Sequence, residues 1–229
     1  MKTLTIIPSR LSATRLPGKP LLKINGLSII SHVFRKAKEA NIGEVVVATE
    51  DQEIVDDVIK NGGKAIITSN NHKTGTDRIY EAFKKLDIRD VDLIMNLQGD
   101  EPAINIDDII SLNKKMTVYP SQMGTLAANI KNDNDLENEN IVKVITKNNL
   151  KDGVFSRAEN FLRNSSKKDN IYTYPLLLLA RGIPLLKSSI KSILEGCVEF
   201  PEPPKGESRY WSHPTLWEYL GHWITKGVK

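Results

Sequence analysis

The sequence has very little cysteine: Cys197 is the single thiol in 229 residues. One thiol excludes an internal disulfide framework and a cysteine-rich metal site. Long apolar runs are also missing, since the longest candidate, residues 175–180, is ended by Arg181 and falls well short of the roughly 20 residues that span a bilayer. The apolar start of the chain meets Pro8 and Arg10 too soon for a signal peptide. We therefore expect a cytoplasmic protein without membrane insertion.

A strong excess of either charge is absent as well. Lys and Arg number 32 against 28 Asp and Glu, which gives a formal net charge of +4. Hydrophobic residues make up 40% of the chain and charged residues 26%, the profile of a folded globular protein. The weak positive charge fits a small anionic ligand, and with no basic stripe we expect no nucleic-acid partner.

Two residue types disappear part-way along the chain. The last Asp is Asp169 and the last Asn is Asn170, although both are common before that point. All three tryptophans, Trp211, Trp217 and Trp223, lie beyond it. We therefore predict two unlike segments, an α/β domain at residues 1–170 and a divergent C-terminal segment at 171–229.

Hydrophobic periodicity indicates strands and helices in alternation through the first segment. The predicted strands are 3–7, 44–49, 64–68, 92–97, 122–130 and 141–146, with a polar loop at 132–140, and the predicted helices are 27–40, 52–61, 77–86 and 107–116. This alternation predicts an α/β fold with a Rossmann-like, mostly parallel sheet and helices on both faces, followed by a small irregular C-terminal lobe. Ligands of such sheets bind at the carboxyl ends of strands, so the loops after the first and fourth strands are the candidate sites.

The loop after the first strand concentrates positive charge. Arg10, Arg15 and Lys19 surround a turn at Gly18, which would let backbone N–H groups approach a ligand. This combination suits a triphosphate, although the loop is no Walker A motif. An ordinary solvated basic loop is the alternative interpretation.

Two further motifs are weak when taken alone. Asp100, in the string from Gln98 to Pro102, follows a strand and would suit Mg²⁺, although a plain β-turn explains the same residues. In the string from Thr74 to Arg78, Thr76 or Asp77 would cap a helix and Arg78 would point toward a phosphate or base. A plain helix cap is the simpler interpretation.

Taken together, these motifs resemble one enzyme family. The matching strings are Ile7-Pro-Ser-Arg-Leu-Ser-Ala-Thr-Arg-Leu-Pro-Gly-Lys-Pro-Leu21, Thr74-Gly-Thr-Asp-Arg78, Asn96-Leu-Gln-Gly-Asp-Glu-Pro102, Met123-Gly-Thr-Leu126 and Asn140-Ile-Val-Lys-Val144. In this order they resemble 3-deoxy-manno-octulosonate cytidylyltransferase, the CMP-Kdo synthetase of Gram-negative bacteria, over roughly residues 1–157. Ser9 stands where the family usually has Ala.

The resemblance implies a reaction, a fold and a set of roles. CTP and 3-deoxy-D-manno-octulosonate (Kdo) would give CMP-Kdo and pyrophosphate, with Mg²⁺, on a fold of the nucleotide-diphospho-sugar transferase type. The product would serve lipopolysaccharide biosynthesis, and the enzyme would be a homodimer. The implied nucleotide-binding residues are Arg10, Arg15, Lys19, Arg78 and Asp100, of which Arg10, Lys19 and Asp100 would be catalytic. Asp100 would hold the metal, while Gln98 and Arg157 would bind the sugar acid.

The resemblance fades after about residue 160. The family's His-x-Gly-Ile-Tyr strand is missing, and so is a terminal element whose Asp is a further Mg²⁺ ligand, because no Asp follows Asp169. One interpretation is a divergent lobe in which the tryptophans pack a small core or a partner surface. The other is an internal deletion or a frame change that replaced the family's C-terminal part.

Three other functions remain open at this point. A sialic-acid-type cytidylyltransferase shares the fold and an Arg-rich loop. The missing distal Asp is compatible with an inactive or weakly active remnant that binds nucleotide. The Trp-rich tail is compatible with an interaction module.

Overall fold

The structure is a computed structural model that describes residues 1–12, 16–72, 74–119, 121, 123–130, 134–138, 141–150, 156–162, 171–173 and 177–181. The strands are Thr3–Ser9 (β1), Lys23–Ile24 (β2), Leu27–Ser28 (β3), Gly43–Thr49 (β4), Ala65–Ile67 (β5), Leu93–Leu97 (β6), Met123–Thr125 (β7), Ala128–Asn129 (β8), Lys143–Thr146 (β9), Ala158–Leu162 (β10), Ile171–Thr173 (β11) and Leu177–Arg181 (β12). The helices are Ile29–Glu39 (α1), Gln52–Lys60 (α2), Gly75–Leu86 (α3), Ile106–Val118 (α4) and Asn134–Glu137 (α5), and Lys19–Leu21 is a short 3₁₀ helix.

The described residues divide into two units. The first unit comprises residues 1–126 together with β12, and the second comprises the described residues between 127 and 175. The predicted domain boundary at residue 170 stays a prediction, since most of the segment 171–229 lies outside the described residues.

The first unit is built on a six-stranded sheet with the order β5-β4-β1-β6-β12-β7. Strands β5, β4, β1 and β6 are mutually parallel, while β12 runs antiparallel to both of its neighbours, β6 and β7. This arrangement confirms the predicted mostly parallel sheet. Strands β4 and β5 lie on one side of β1 and β6 lies on the other, so the topological switch point falls between β1 and β6.

Helices cover both faces of this sheet. On one face, Ile79, Ala82 and Phe83 of α3 pack with Leu4 and Ile6 of β1 in a buried cluster. On the other face, the Thr3 hydroxyl donates to Asn113 Oδ1 of α4 over 2.7 Å. All seven residues of β1 are buried, as expected for a central strand covered on both sides.

The second unit has a four-stranded antiparallel sheet with the order β10-β9-β11-β8. Its central strand β9 buries Lys143 and Val144. The Lys143 ammonium donates to the Asn138 carbonyl over 2.6 Å, so this buried charge is hydrogen-bonded.

Several predicted elements differ from the structure. The single strand predicted at 122–130 is wrong, because β7 and β8 are separate strands in different sheets. The loop predicted at 132–140 contains the short helix α5. Capping of α3 by Thr76 or Asp77 is also wrong: Thr74 is the N-cap, and its hydroxyl oxygen accepts from the Asp77 N–H over 3.2 Å. Among the described residues, no helix is long and apolar enough to cross a membrane.

Candidate functional site

A pocket of about 260 Å³ opens in the first unit, where the chain leaves β1 and β6. It is lined by Pro8, Ser9, Arg10, Lys19, Pro20, His72, Thr74, Gly75, Arg78, Gln98, Gly99 and Asp100. The two loops indicated by the sequence, after the first and fourth predicted strands, therefore meet in one pocket. The segment after β5 and the first turn of α3 supply a third wall.

The loop after β1 is held to the end of β4. The Leu11 N–H donates to the Asp51 carboxylate over 2.7 Å, and the Gly18 N–H donates to the Leu11 carbonyl over 3.0 Å. Gly18 has a φ of 71°, a left-handed conformation that favours glycine. The Gly18 N–H itself closes the loop, and the approach of other backbone N–H groups of this turn to a ligand stays a prediction.

Lys19 and Asp100 form an ion pair at the pocket wall. The Lys19 ammonium lies 2.7 Å from Asp100 Oδ2, and the two side chains are 34% and 48% exposed. Exposed pairs of this kind contribute at most about 1 kcal/mol, so a charged ligand can separate them at little cost. Arg10 lines the same pocket and is exposed.

Arg78 reaches the pocket from the first turn of α3, but most of its guanidinium is already engaged. It donates to the Thr68 hydroxyl over 2.6 Å and pairs with the Glu50 carboxylate at the end of β4. Its side chain is 3% exposed. Arg78 therefore joins β4, the segment after β5 and α3, and no sequence motif pointed to its partner Glu50.

His72 and Glu81 form a second polar cluster at the pocket wall. The His72 ring contacts the Glu81 carboxylate through Nε2. The same carboxylate accepts from the Ser69 N–H at 2.9 and 3.1 Å and pairs with Lys85 at 2.7 Å. Burial raises the pKa of Glu81, but the bonds from Lys85, Ser69 and His72 outweigh it and lower the pKa to about 2.

Three further lining residues, Ser9, Gln98 and Gly99, lie where β1 and β6 end. The Gln98 side-chain amide donates to Asn96 Oδ1 over 3.2 Å. A Cβ added to Gly99 would lie 3.0 Å from the Pro8 carbonyl, so glycine allows the ends of β1 and β6 to approach closely. The Ser9 hydroxyl is buried and has no hydrogen-bond partner.

Two of the predicted site residues cannot be placed in this pocket. Arg15 lies outside the described residues. Arg157 belongs to the second unit, where it is exposed and its carbonyl accepts from the Lys147 N–H over 2.9 Å. Their roles in nucleotide and sugar binding stay predictions.

Comparison with known proteins assigns the chain to a family. The profile of the family described as Cytidylyltransferase matches residues 4–188. A 3-deoxy-manno-octulosonate cytidylyltransferase of Thermodesulfovibrio yellowstonii is 39% identical over 214 residues, which cover 84% of this chain and 83% of the relative. The chain belongs to the 3-deoxy-manno-octulosonate cytidylyltransferase family. The matched profile extends past residue 160, where the motif resemblance fades.

Another relative in this family aligns over a shorter region. The 3-deoxy-manno-octulosonate cytidylyltransferase of Rhodopseudomonas palustris (strain BisB18) is 47% identical over 145 residues. That alignment covers 63% of this chain and 59% of the relative. The chain thus matches less than two thirds of the length of this relative.

Solved structures agree on the fold. The structure of CMP:2-keto-3-deoxy-manno-octonic acid synthetase complexed with CTP is 28% identical, with a TM-score of 0.69 over 99% of this chain and 100% of that one. A cytidylyltransferase from Leptospira borgpetersenii is 19% identical, with a TM-score of 0.52 over 99% of this chain and 73% of that one, and it supports the fold alone.

The family motifs account for part of the pocket lining. They indicated Arg10, Lys19, Arg78, Gln98 and Asp100, which all line it. His72 was missed, although it stands only two residues before the motif that starts at Thr74. The available signal was topological: β5 is parallel to β4, so the segment that follows it reaches the same edge of the sheet.

Proposed function

We propose that this protein transfers CMP from CTP to Kdo and releases pyrophosphate. The observation that carries the proposal is the meeting of three family motifs in one pocket at the switch point of the sheet. The names of the relatives support the acid-sugar substrate, and the solved relative was complexed with CTP. In this reaction the anomeric hydroxyl of Kdo attacks the α-phosphorus, and the bond to the β-phosphate oxygen breaks.

Arg10 and Lys19 would supply the positive charge for the triphosphate. Lys19 forms an ion pair with Asp100 in this structure, and a bound nucleotide would separate the pair and give each residue a new partner. The phosphates would take the ammonium group, and the carboxylate would turn to the metal. Cations placed where the negative charge develops lower the barrier of phosphoryl transfer, because they are already in position when the charge shifts.

The donor set around Asp100 fits Mg²⁺. Among the described residues no group of three or more metal-ligating side chains is present, and Mg²⁺ is commonly held by one or two carboxylates together with substrate phosphates. Partial desolvation raises the pKa of Glu101, and the adjacent Asp100 carboxylate raises it further, whereas Lys19 lowers it. A divalent cation would relieve this crowding of negative charge. When bound, Mg²⁺ would neutralise the phosphates and polarise the α-phosphorus.

Other parts of the proposal rest on the family alone. Arg15 would join the triphosphate site, Gln98 and Arg157 would bind Kdo, and the enzyme would be a cytoplasmic homodimer. A sialic-acid-type activity is less favoured, because the two relatives compared above carry the name of the Kdo enzyme.

The test is pyrophosphate release by the purified chain with CTP, Kdo and Mg²⁺. Asp100→Ala is expected to reduce the rate at least 100-fold, because the metal loses its carboxylate. Asp108→Ala is the matched control: Asp108 is exposed in the first turn of α4, outside the pocket lining, and its removal should leave the rate within twofold. CTP binding without any CMP-Kdo formation by the parent would instead identify a nucleotide-binding remnant.

A further inference from the structure

His72 presents a histidine to the pocket that neither the sequence motifs nor the proposed reaction uses. The side chain lines the pocket wall and is 19% exposed. Its Nε2 contacts the Glu81 carboxylate, and no described partner occupies Nδ1. A histidine whose one ring nitrogen is fixed by a carboxylate has its tautomer and orientation set by that contact.

Glu81 is equipped to impose that orientation. Its carboxylate is itself held by two contacts from the Ser69 N–H and by the Lys85 ammonium at 2.7 Å. With a pKa of about 2, the group is ionised near neutral pH and accepts a hydrogen bond from the ring N–H. Glu81 therefore holds the ring and the segment Ser69–His72 against α3 at the same time.

The contact with Glu81 determines which ring nitrogen is left to face a ligand. Nε2 is committed to the carboxylate, which also pairs with Lys85. A neutral ring that donates from Nε2 has a lone pair on Nδ1, which makes Nδ1 a hydrogen-bond acceptor. The cationic groups of the pocket lining, Arg10, Lys19 and Arg78, are all donors, so an acceptor at Nδ1 would bind a donor group of a ligand that they cannot bind.

We propose that His72 contacts the bound nucleotide by accepting a hydrogen bond at Nδ1 from a donor on the nucleoside, with Glu81 as its positioning residue. This inference rests on the proposed function, since CTP is the nucleotide concerned. CTP offers such donors at the 4-amino group of the base and at the ribose hydroxyls. A donor bound to Nδ1 would add to CTP affinity, and a base donor would also favour CTP over UTP.

Two substitutions separate this contact from a purely structural role. At position 72, the side-chain amide of Gln would lie where the Nε2 atom of the histidine ring lies. The shorter side-chain amide of Asn would lie where Nδ1 lies. His72→Gln therefore keeps a donor for Glu81 and loses the acceptor, while His72→Asn keeps an acceptor and loses the contact with Glu81. His32→Asn is the matched control, because His32 lies on α1 outside the pocket lining and contacts the Ile24 carbonyl.

The experiment measures equilibrium binding of CTP, UTP, 2′-deoxy-CTP and 3′-deoxy-CTP to the full chain, with thermal unfolding of each variant alongside. We expect His72→Gln to weaken CTP binding roughly 3- to 10-fold, the value of one net hydrogen bond, with an unchanged melting temperature. His72→Asn should recover part of the loss, and His32→Asn should bind like the parent.

The three analogues identify the nucleoside group that donates to Nδ1. The parent and His72→Gln should bind the analogue that lacks this group with equal affinity. Equal losses for all four nucleotides, or no loss for CTP, would overturn the inference while leaving the proposed function standing. A parent that fails to bind CTP would overturn both.

Discussion

Ser9 places a hydroxyl where the fold gives it no hydrogen-bond partner. The residue is 8% exposed, lies at the end of β1 and lines the pocket. Burying an unpaired hydroxyl costs free energy, because the bond that it made to water in the unfolded chain is not replaced. Ala at this position removes that cost.

We therefore predict that Ser9→Ala raises the free energy of unfolding by about 1 kcal/mol, as measured by urea denaturation. Ser28→Ala is the control: Ser28 is also buried, but its hydroxyl donates to Asp57 and its oxygen caps α1. That substitution should lower the free energy by about 1 kcal/mol. A destabilised Ser9→Ala variant would show that the hydroxyl is satisfied.

Glu81 makes the free energy of unfolding depend on pH in the acidic range. Its pKa is about 2 in the folded protein and near 4.5 in an unperturbed chain, so folding favours the ionised form. The stabilisation is complete above pH 4.5 and is lost as the pH falls toward 2. Between pH 6 and pH 3 the parent should lose up to ~2 kcal/mol more than Glu81→Gln, which carries no titrating group there. Parallel pH profiles in denaturant unfolding would contradict this assignment.

At the scale of elements, the local hydrophobic pattern was enough to predict most helices and strands of the first unit. The apolar face of α1 and the buried run of β1 were predictable from residues 29–37 and 3–7, because each element buries one continuous set of side chains. The predicted start of α3, at residue 77, is two residues later than its start in the structure at Gly75. Thr74, Thr76 and Asp77 are all good caps by type, and only the backbone conformation selects Thr74.

Pairings between strands that are distant in the chain could not be predicted from the sequence. The run 122–130 appears as one strand because both halves are apolar, yet β7 pairs with β12 and β8 pairs with β11. Those partners lie about 50 residues further along the chain, and local periodicity carries no information on them. The same limit applies to the site, where Glu50 and Glu81 act through contacts with the distant residues Arg78 and Ser69.

At the scale of the whole molecule, β12 ties a late part of the chain into the first unit. Its backbone pairs with β6 on one side and with β7 on the other, from Leu177 to Arg181. The composition shift at residue 170 therefore does not coincide with the edge of the sheet, and the matched family profile, which ends at residue 188, includes this strand.

This placement predicts different outcomes for two truncations. A chain ended at residue 175 keeps β11 and loses β12, which leaves β6 and β7 without their shared neighbour and exposes both ladders of backbone groups. A chain ended at residue 188 keeps the strand. We expect cooperative thermal unfolding from the longer chain, and from the shorter one either no cooperative transition or aggregation. Equal melting curves for the two chains would show that the pairing of β12 contributes nothing to the stability of the sheet.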